Sequence, residues 1–412
     1  MKILIVGQHF WPETFCITEV AQSLRRAGCS VSLLTGQPNY PDGVTFPGYC
    51  AAGLGTEHKD GVPVHRVPQF PRGKGTALRL ALNYLSFVAS ACLFGPWLLR
   101  GQRFHAVLVY APGPILQSMA GVWIGWIKHA KVVTWVQDLW PESLEATGFV
   151  RSKRILALVA RGVRLIYTRN DLLLVQSQAF LGPVKVLAGN TEVRYHPNPG
   201  EPVSKLPSCG NEPALRLKAG FNVVFAGNLG TVQALDTIIS AAEQTRLHTD
   251  IWWVVVGSGS RSEWLAREVS YRGLTQVMLA GRFPAAAMPA IFEQASALLV
   301  SLIRSPIMSQ TVPSKVQTYF AAGRPIIAAL DGEGSRVVTE SGAGITCPAE
   351  DAAAICAAVL RLKAMPQFDL DCMGESGRRY YQQHFEPDML ARRLIDHLRP
   401  DPVRTLHVTR TD

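Results

Sequence analysis

Short runs of apolar residues recur along the whole chain, and between them apolar residues are spaced three or four positions apart. In the first half these runs are nearly continuous and rich in Val, Ile and Leu, as in strands of a parallel sheet that helices cover on both faces. The strands predicted in this half are 2–7, 30–36, 62–68, 106–111, 132–138, 172–177 and 193–198. Helical spacing over 19–27, which ends at Gly28, predicts a helix there.

The second half repeats the pattern. The strands predicted in it are 222–228, 252–259, 277–281, 297–302 and 325–330, with helices near 233–247, 261–272, 313–322 and 350–363. This alternation predicts a second α/β domain of the same kind as the first. We therefore expect two doubly wound parallel-sheet domains with a ligand in the cleft between them, because such sheets bind ligands at the carboxyl ends of their strands.

A stretch rich in Pro and Gly, 198–220, separates the two halves and has the composition of an interdomain linker. We expect an N-terminal domain over 1–200 and a C-terminal domain over 201–375. C-terminal helices are expected over 376–398, with a return to the N-terminal domain left open, and a loose tail over 399–412.

Residues 80–99 carry no charge, and this length is enough to span a bilayer. A span would put the strands before and after it on opposite sides of the membrane, where they could not share a sheet. We therefore expect a helix that packs partly on its domain and partly on the membrane surface; a buried helix and a true span are the alternatives. Residues 151–169 predict a basic amphipathic helix, which either lies on anionic lipid or has a solvated basic face.

The charge of the chain favours an anionic partner. Its 412 residues include 41 Lys and Arg against 31 Asp and Glu, and the whole excess of +10 lies in residues 1–205. No zinc-finger, RRM or helix-turn-helix pattern occurs, so we expect no nucleic acid, and anionic lipid or a phosphorylated substrate instead. An apolar fraction of 48% excludes a disordered chain. The eight scattered cysteines are typical of buried thiols in a reducing cytosol.

Candidate chemistry is concentrated in the second half. Glycine-rich turns follow two predicted strands at 227–230 and 257–259, where backbone N–H groups could approach a phosphate, although tight turns need glycine in any case. A Pro-Ser-Lys sequence opens the helix near 313–322, which puts Lys315 beside the positive end of the helix. A cation is unfavourable there unless an anion such as a diphosphate lies nearby; a solvated lysine is the alternative. The sequence has no hydrolase triad, metal-ligand cluster or Walker loop, so no metal or cofactor is expected.

Four motifs together resemble those of the family-four retaining glycosyltransferases: 137–143 (QDLWPES), 227–230 (GNLG), 312–323 (VPSKVQTYFAAG) and 331–334 (DGEG). The similarity runs from Met1 to about residue 398 and is greatest to the bacterial branch that builds O-antigen, capsule and exopolysaccharide, which includes N-acetylfucosamine and colanic-acid transferases. The resemblance implies the GT-B architecture, with two Rossmann-like domains, the acceptor in the N-terminal one and the donor nucleotide in the C-terminal one. It also implies transfer of a hexose or aminosugar from a UDP-sugar to a hydroxyl with retention of configuration.

The same resemblance implies roles for single residues. The resulting candidates for donor binding are Gly7, Asn228, Gly230, Gly257, Arg282, Arg304, Ser314, Lys315 and Thr318. Glu13 and Asp138 are the catalytic candidates and would line the acceptor side. Asp138 ends a predicted buried strand, where a carboxylate is costly unless it has a partner or a task; an N-cap for the turn at 139–143 is the alternative.

Two positions depart from the family pattern. A Glu-x7-Glu pair, whose second glutamate holds the ribose in many members, is replaced here by Gln310 and Thr318, so a charge-assisted hydrogen bond is lost. The basic residue of the phosphate turn is also absent. Neutralisation of the diphosphate then falls to Lys315, with Arg282 and Arg304 as further candidates.

The acceptor implied by the resemblance is a polyprenyl-diphosphate-linked sugar at the inner face of the cytoplasmic membrane. The protein would be cytoplasmic and peripheral, and the basic first half and segment 80–99 would then share a purpose. Because no carboxylate is placed as a nucleophile, we expect a front-face route in which the leaving diphosphate helps to deprotonate the acceptor. A sugar-nucleotide 2-epimerase of the same architecture and a non-catalytic scaffold derived from a transferase are the alternatives.

Overall fold

The structure is a computed structural model that describes residues 1–146, 152–200 and 215–400. The chain forms two compact units: unit 1 comprises Met1–Asn198 and the segment that starts at Pro387, and unit 2 comprises Pro199–Glu386. The predicted domain limits at 200, 375 and 398 stay predictions. Most of the predicted linker and tail, at 201–214 and 401–412, lies outside the described residues.

Unit 1 is built on an eight-stranded sheet. Its strands are β1 (Lys2–Val6), β2 (Ser30–Thr35), β3 (Gly55–Lys59), β4 (Val62–Arg66), β5 (Ala106–Ala111), β6 (Lys131–Val136), β7 (Leu172–Val175) and β8 (Glu192–Tyr195). The order across the sheet is β3-β4-β2-β1-β5-β6-β7-β8, and every neighbouring pair is parallel except β3 and β4. Its helices are α1 (Ile17–Arg26), α2 (Ala77–Leu98), α3 (Ser118–Lys128), α4 (Glu142–Ala146), α5 (Lys153–Tyr167), α6 (Leu181–Ala188) and, from the end of the chain, α14 (Pro387–Leu398).

Unit 2 is built on a six-stranded, wholly parallel sheet. Its strands are β9 (Phe221–Ala226), β10 (Ile251–Val256), β11 (Val277–Gly281), β12 (Ala297–Ser301), β13 (Ile326–Ala329) and β14 (Gly344–Cys347), in the order β11-β10-β9-β12-β13-β14. Its helices are α7 (Leu235–Gln244), α8 (Ser262–Tyr271), α9 (Met288–Glu293), α10 (Ser314–Ala322), α11 (Glu333–Ser341), α12 (Ala352–Lys363) and α13 (Gln367–His384). The strand order reverses between β9 and β12, as it does between β1 and β5 in unit 1, and nucleotides bind at such points in doubly wound sheets.

Two doubly wound parallel-sheet domains were predicted, and this fold class is confirmed. Every predicted strand is present, and most of them are apolar runs that the sheet buries: Ile3, Leu4, Ile5 and Val6 of β1 are all fully buried. β3 was missed because its residues, GTEHK, are mostly polar. It forms a hairpin with β4 through Asp60 and Gly61, whose positive φ values of 49° and 75° fit a two-residue turn of the kind that Asp-Gly favours.

Helix α2 contains most of the uncharged segment 80–99. Its buried residues are Asn83, Phe87, Ala91 and Gly95, spaced four apart, so only one stripe packs on unit 1. The rest faces outward, with Leu78 and Leu93 both 71% exposed. Among the described residues, α2 is the one helix long and apolar enough to cross a membrane. However, the strands before and after it, β4 and β5, lie in the same sheet, which argues against a span. Most of the helix is also at least partly exposed, which argues against the alternative of a buried helix.

Candidate functional site

Lys315 lies in the first turn of α10, at the carboxyl edge of the unit 2 sheet. Its Nζ donates a hydrogen bond to Oε1 of Gln233 at 2.6 Å and lies 3.8 Å from the ring centroid of Phe225. No carboxylate of the described residues forms an ion pair with it. Burial lowers the pKa of Lys315 to about 7. An anion at this edge would therefore stabilise the charged ammonium, which has no partner of opposite charge in the part of the chain that the structure describes.

Glycine is required where the chain turns after β9. Gly227 has a φ of +131°, and a Cβ atom on it would lie 2.6 Å from Cε of Lys315. Gly257, with a φ of +141°, packs so closely on the carbonyl of Gly227 that a Cβ atom would collide with it. The two glycine turns predicted from the sequence therefore pack against each other, and the first of them makes room for the lysine side chain.

The other predicted donor residues are distributed around this edge. Asn228, Arg282 and Ser314 are exposed, and their side chains form no hydrogen bond within the described residues. Gly230 is buried beside Asn228, whose Nδ2 would lie 2.8 Å from an added Cβ atom. The Thr318 hydroxyl donates to the carbonyl of Ser314 at 3.1 Å, within its own helix.

Arg304 lies close to an acidic residue. Its Nε is 3.3 Å from Oδ2 of Asp331, and its Nη2 donates to the carbonyl of Ala349 at 3.0 Å. The charge of Asp331 already offsets that of Arg304, so Arg304 is less suited than Lys315 to neutralise a diphosphate. This contact joins residues 27 positions apart in the chain and was not predicted from the sequence.

On the carboxyl edge of unit 1, the Asp138 carboxyl has no hydrogen-bond partner among the described residues. It follows β6 closely, and burial raises its pKa to about 6. The phenols of Tyr84 and Tyr110 are close enough to Asp138 to interact with its charge. That charge adds to the effect of burial in raising the pKa values of both tyrosines. No hydrogen bond supports the alternative role of Asp138 as an N-cap.

Both oxygens of the Glu13 carboxylate, by contrast, have hydrogen-bond partners. Its Oε2 lies 2.7 Å from Nδ1 of His9, and its Oε1 accepts hydrogen bonds from the backbone N–H groups of Asn39 and Tyr40, both at 2.7 Å. His9 was not among the sequence candidates, because only the fold of the loops brings these groups together. Gly7, two residues before it, is buried, and a Cβ atom on it would lie 3.4 Å from the carbonyl of Tyr110.

A metal site was not predicted from the sequence. In 1–146, 152–200 and 215–400, no three His, Cys, Asp or Glu side chains converge in a way that could hold a metal ion.

Each half of the chain matches a family model. Residues 14–199 match the glycosyl transferase 4-like domain, and residues 220–364 match the glycosyl transferases group 1. WbjE of Pseudomonas aeruginosa, named as a probable glycosyltransferase, is 25% identical over 346 residues, which cover 81% of this chain and 83% of WbjE. A second relative is WcaI of Escherichia coli (strain K12), named as a colanic acid biosynthesis glycosyl transferase. It is 21% identical over a match that covers 97% of this chain and 100% of WcaI.

Solved structures share the fold over nearly the whole chain. Sucrose-phosphate synthase from Thermosynechococcus elongatus has a TM-score of 0.68 at 17% identity and covers 99% of both chains. HepE of Anabaena, solved in complex with UDP, has a TM-score of 0.65 at 14% identity and covers 97% of this chain and 99% of its own. At these identities the likeness shows the fold alone, and the predicted GT-B fold is confirmed.

Proposed function

We propose that this chain, which contains two glycosyltransferase domains and is similar to glycosyltransferases of polysaccharide biosynthesis, moves a hexose or aminosugar from a UDP-sugar to a hydroxyl of a lipid-linked glycan. The single observation that carries this proposal is Lys315, a largely buried ammonium that has no acidic partner among the described residues and lies at the carboxyl edge of the unit 2 sheet. The UDP complex of the structurally similar HepE supports the choice of nucleotide.

The donor diphosphate would bind where α10 begins. The helix starts at Ser314 with no side-chain cap on its first turn, so its N-terminal N–H groups and positive dipole end can receive an anion. The Lys315 ammonium lies beside that turn and would neutralise the charge that develops on the leaving UDP. While the Thr318 hydroxyl donates to the carbonyl of Ser314, it could contact a ribose only as a hydrogen-bond acceptor.

The acceptor would bind at the carboxyl edge of unit 1, where the Asp138 carboxylate has no hydrogen-bond partner among the described residues. In the front-face route, the bond between the anomeric carbon and the diphosphate oxygen breaks while the acceptor oxygen bonds to the same face of the sugar. The hydroxyl proton passes to the leaving diphosphate, so the configuration is retained. Asp138 would hold the acceptor by accepting a hydrogen bond from one of its hydroxyls.

Three helices of unit 1 support a membrane-bound acceptor. Their exposed apolar side chains are Leu78, Leu82, Leu85, Leu93 and Trp97 of α2, Met119, Trp123 and Trp126 of α3, and Ile155, Leu158 and Leu165 of α5. Helix α5 adds the exposed cations Lys153, Arg154, Arg161 and Arg164. Apolar and cationic groups on one face suit the surface of an anionic bilayer, so the protein would act as a peripheral enzyme on the inner face of the cytoplasmic membrane.

The test is a panel of nucleotide sugars with three readouts: melting temperature, release of UDP, and transfer to a polyprenyl-diphosphate-linked N-acetylhexosamine. We expect one or more UDP-sugars to raise the melting temperature and to support transfer, and GDP-sugars to do neither. A new sugar nucleotide formed without acceptor would identify a 2-epimerase. Binding of UDP-sugars without hydrolysis or transfer would favour the scaffold, and either result would contradict the proposal.

A further inference from the structure

His9 and Glu13 form a buried pair in the loop that follows β1. Nδ1 of His9 lies 2.7 Å from Oε2 of Glu13, and the two side chains are 7% and 1% exposed. The second oxygen of Glu13 accepts the backbone N–H groups of Asn39 and Tyr40. Both oxygens of the carboxylate are hydrogen-bonded and the side chain is only 1% exposed, so a substrate does not reach it directly and it acts through the groups that it holds.

The His9 ring is held rigidly, but its outer nitrogen is unused. The ring stacks on Phe15 with centroids 4.8 Å apart and an interplanar angle of 16°. The ring of Tyr40, whose backbone N–H is bonded to Glu13, lies 5.6 Å from the His9 ring, centroid to centroid. Nε2 has no hydrogen-bond partner among the described residues. Unlike the unpartnered polar atoms that are fully sealed in the protein, Nε2 keeps some contact with solvent.

The backbone that carries His9 is fixed by buried amides. The N–H of Gln8 donates to Oε1 of Gln117 at 3.1 Å, and its side-chain Nε2 donates to Oδ1 of Asn83 at 2.6 Å. The His9 ring is therefore positioned from both sides before any ligand binds. Such support on rigid elements is what a group needs if it is to orient a reacting molecule.

A carboxylate bonded to one nitrogen of an imidazole sets the state of the other. With Glu13 as acceptor, Nδ1 carries the hydrogen, and in the neutral form of the ring Nε2 keeps its lone pair. We propose that Nε2 of His9 accepts a hydrogen bond from a hydroxyl of the acceptor sugar other than the reacting one, and that Glu13 is a positioning residue that acts through His9. This inference rests on the proposed function. It adds a specific contact on the acceptor side, at the switch point of unit 1.

Two substitutions of His9 separate this role from a structural one. Asparagine can place its amide near the position of Nδ1 and keep the bond to Glu13, but it has no atom at Nε2. Glutamine can place its amide near Nε2, but it gives up the bond to Glu13. A merely structural histidine would make His9→Asn the milder change, whereas our proposal makes it the more harmful one.

The measurement is transfer from the UDP-sugar that wild type uses to a polyprenyl-diphosphate-linked N-acetylhexosamine in detergent micelles. For His9→Asn we expect kcat/KM for the acceptor to fall at least about tenfold, with the Kd for UDP and the hydrolysis of donor without acceptor within twofold of wild type. His9→Gln should retain at least three times the transfer efficiency of His9→Asn. The single substitution Glu13→Gln should lower kcat/KM for the acceptor. Added to His9→Asn, the same substitution should cause no further loss.

Equal transfer by His9→Asn and wild type, or an order of activities that follows the melting temperatures, would overturn the role of His9 while leaving the proposed function intact. Loss of UDP binding in His9→Asn would likewise overturn it, because a unit 1 acceptor contact has no reason to affect UDP. If wild type transferred no sugar at all, both the proposed function and this inference would fail.

Discussion

At the scale of single residues, Lys315 and Asp138 have the same unusual property. Burial moves the pKa of each toward neutrality, to about 7 for the lysine and about 6 for the aspartate, and neither has an oppositely charged partner among the described residues. Ionisable groups of this kind are concentrated at sites where a ligand supplies the missing interaction. This shared property supports the proposal that the donor binds near Lys315 and the acceptor near Asp138.

The substitution Asp138→Asn tests the acceptor side. We expect transfer to fall at least about tenfold, which corresponds to about 1.4 kcal/mol, because the amide is a weaker acceptor than the carboxylate. Wild-type transfer should decline as the pH falls through about 6, where Asp138 takes up a proton, and this decline should be absent from the residual activity of the variant. UDP affinity, measured by calorimetry, should remain within twofold. A collapse of UDP affinity would instead assign Asp138 to the donor side.

Gly227 allows a second test at this scale. Gly227→Ala should destabilise unit 2 and weaken UDP binding, because the backbone has a φ of +131° and the new methyl group would press on Cε of Lys315. The matched control is Gly182→Ala in helix α6, where nothing lies within 4 Å of the added atom. The control should leave UDP affinity unchanged and stabilise the protein by up to about 1 kcal/mol in urea unfolding. Normal UDP binding by Gly227→Ala would contradict the packing described for the lysine.

Contacts between distant residues could not be predicted from the sequence. The position of Lys315 at the start of a helix follows from the Pro-Ser-Lys pattern, and it was predicted. The pair of His9 and Glu13 was not, because it depends on where the loop carrying Asn39 and Tyr40 folds back. The pairing of Arg304 with Asp331 likewise depends on two strand ends that lie side by side in the sheet.

At the scale of elements, the apolar runs predicted strands well because both sheets are covered on both faces. Strand β14, with the sequence GITC, was missed because it is short and only its last residue is buried. The composition of helix α2 predicts only part of its packing. Its lack of charge predicts contact with an apolar medium but not which of its residues make that contact. Only the structure shows that one stripe of every fourth residue packs on the sheet while the remainder is exposed.

Helix α5 gives the test of membrane contact. The triple substitution of Arg154, Arg161 and Arg164 by alanine should lower binding to vesicles that contain anionic lipid at least about tenfold, since each basic residue near such a surface contributes about 1 kcal/mol. These three side chains are exposed and form no ion pair within the described residues. Sedimentation with neutral vesicles should show little difference. The matched control is Arg267→Ala on the exposed side of α8 in unit 2, which should bind anionic vesicles as wild type does.

Equal sedimentation of wild type with neutral and anionic vesicles would remove the electrostatic part of the membrane proposal. Unchanged binding of the triple variant to anionic vesicles would show that α5 does not contact the lipid.

At the scale of the whole molecule, the chain returns to unit 1 at its end. Helix α14 buries Leu390, Ala391, Leu394 and Leu398 in the core of unit 1. Its Asp388 forms an ion pair of 2.6 Å with Arg26 of α1. The final helix therefore completes the core of the first unit, which makes the stability of unit 1 depend on residues nearly 400 positions from β1 in the chain.

Two histidines at this junction predict acid sensitivity. His196 and His397 lie with ring centroids 5.5 Å apart, and burial lowers their pKa values to about 3 and about 4. Unfolded, both would titrate near the ordinary value of 6.5. Below that pH the unfolded chain binds protons that the folded unit does not. The free energy of unfolding that these two neutral histidines contribute is therefore complete above about pH 6.5 and is lost as the pH falls toward 4.

The variant His397→Leu should reduce this acid sensitivity. In urea unfolding between pH 7 and 5, the decline in the free energy of unfolding should be shallower than that of wild type by up to about 1.4 kcal/mol per pH unit. The control is Gly182→Ala in α6, which removes no titratable group and should leave the pH dependence as it is in wild type. An identical pH dependence of His397→Leu and wild type would contradict the assignment.

The central claim is that the second unit holds a nucleoside diphosphate through Lys315, and titration of UDP by calorimetry tests it directly. Wild type should bind UDP more weakly as the pH rises from 7 to 9, by up to about tenfold per pH unit, because the anion needs the charged lysine, whose pKa in the free protein is about 7. Lys315→Ala should fold normally, bind UDP at least about tenfold more weakly at pH 7, and show little pH dependence. Equal UDP affinity of Lys315→Ala and wild type at pH 7 would contradict the account.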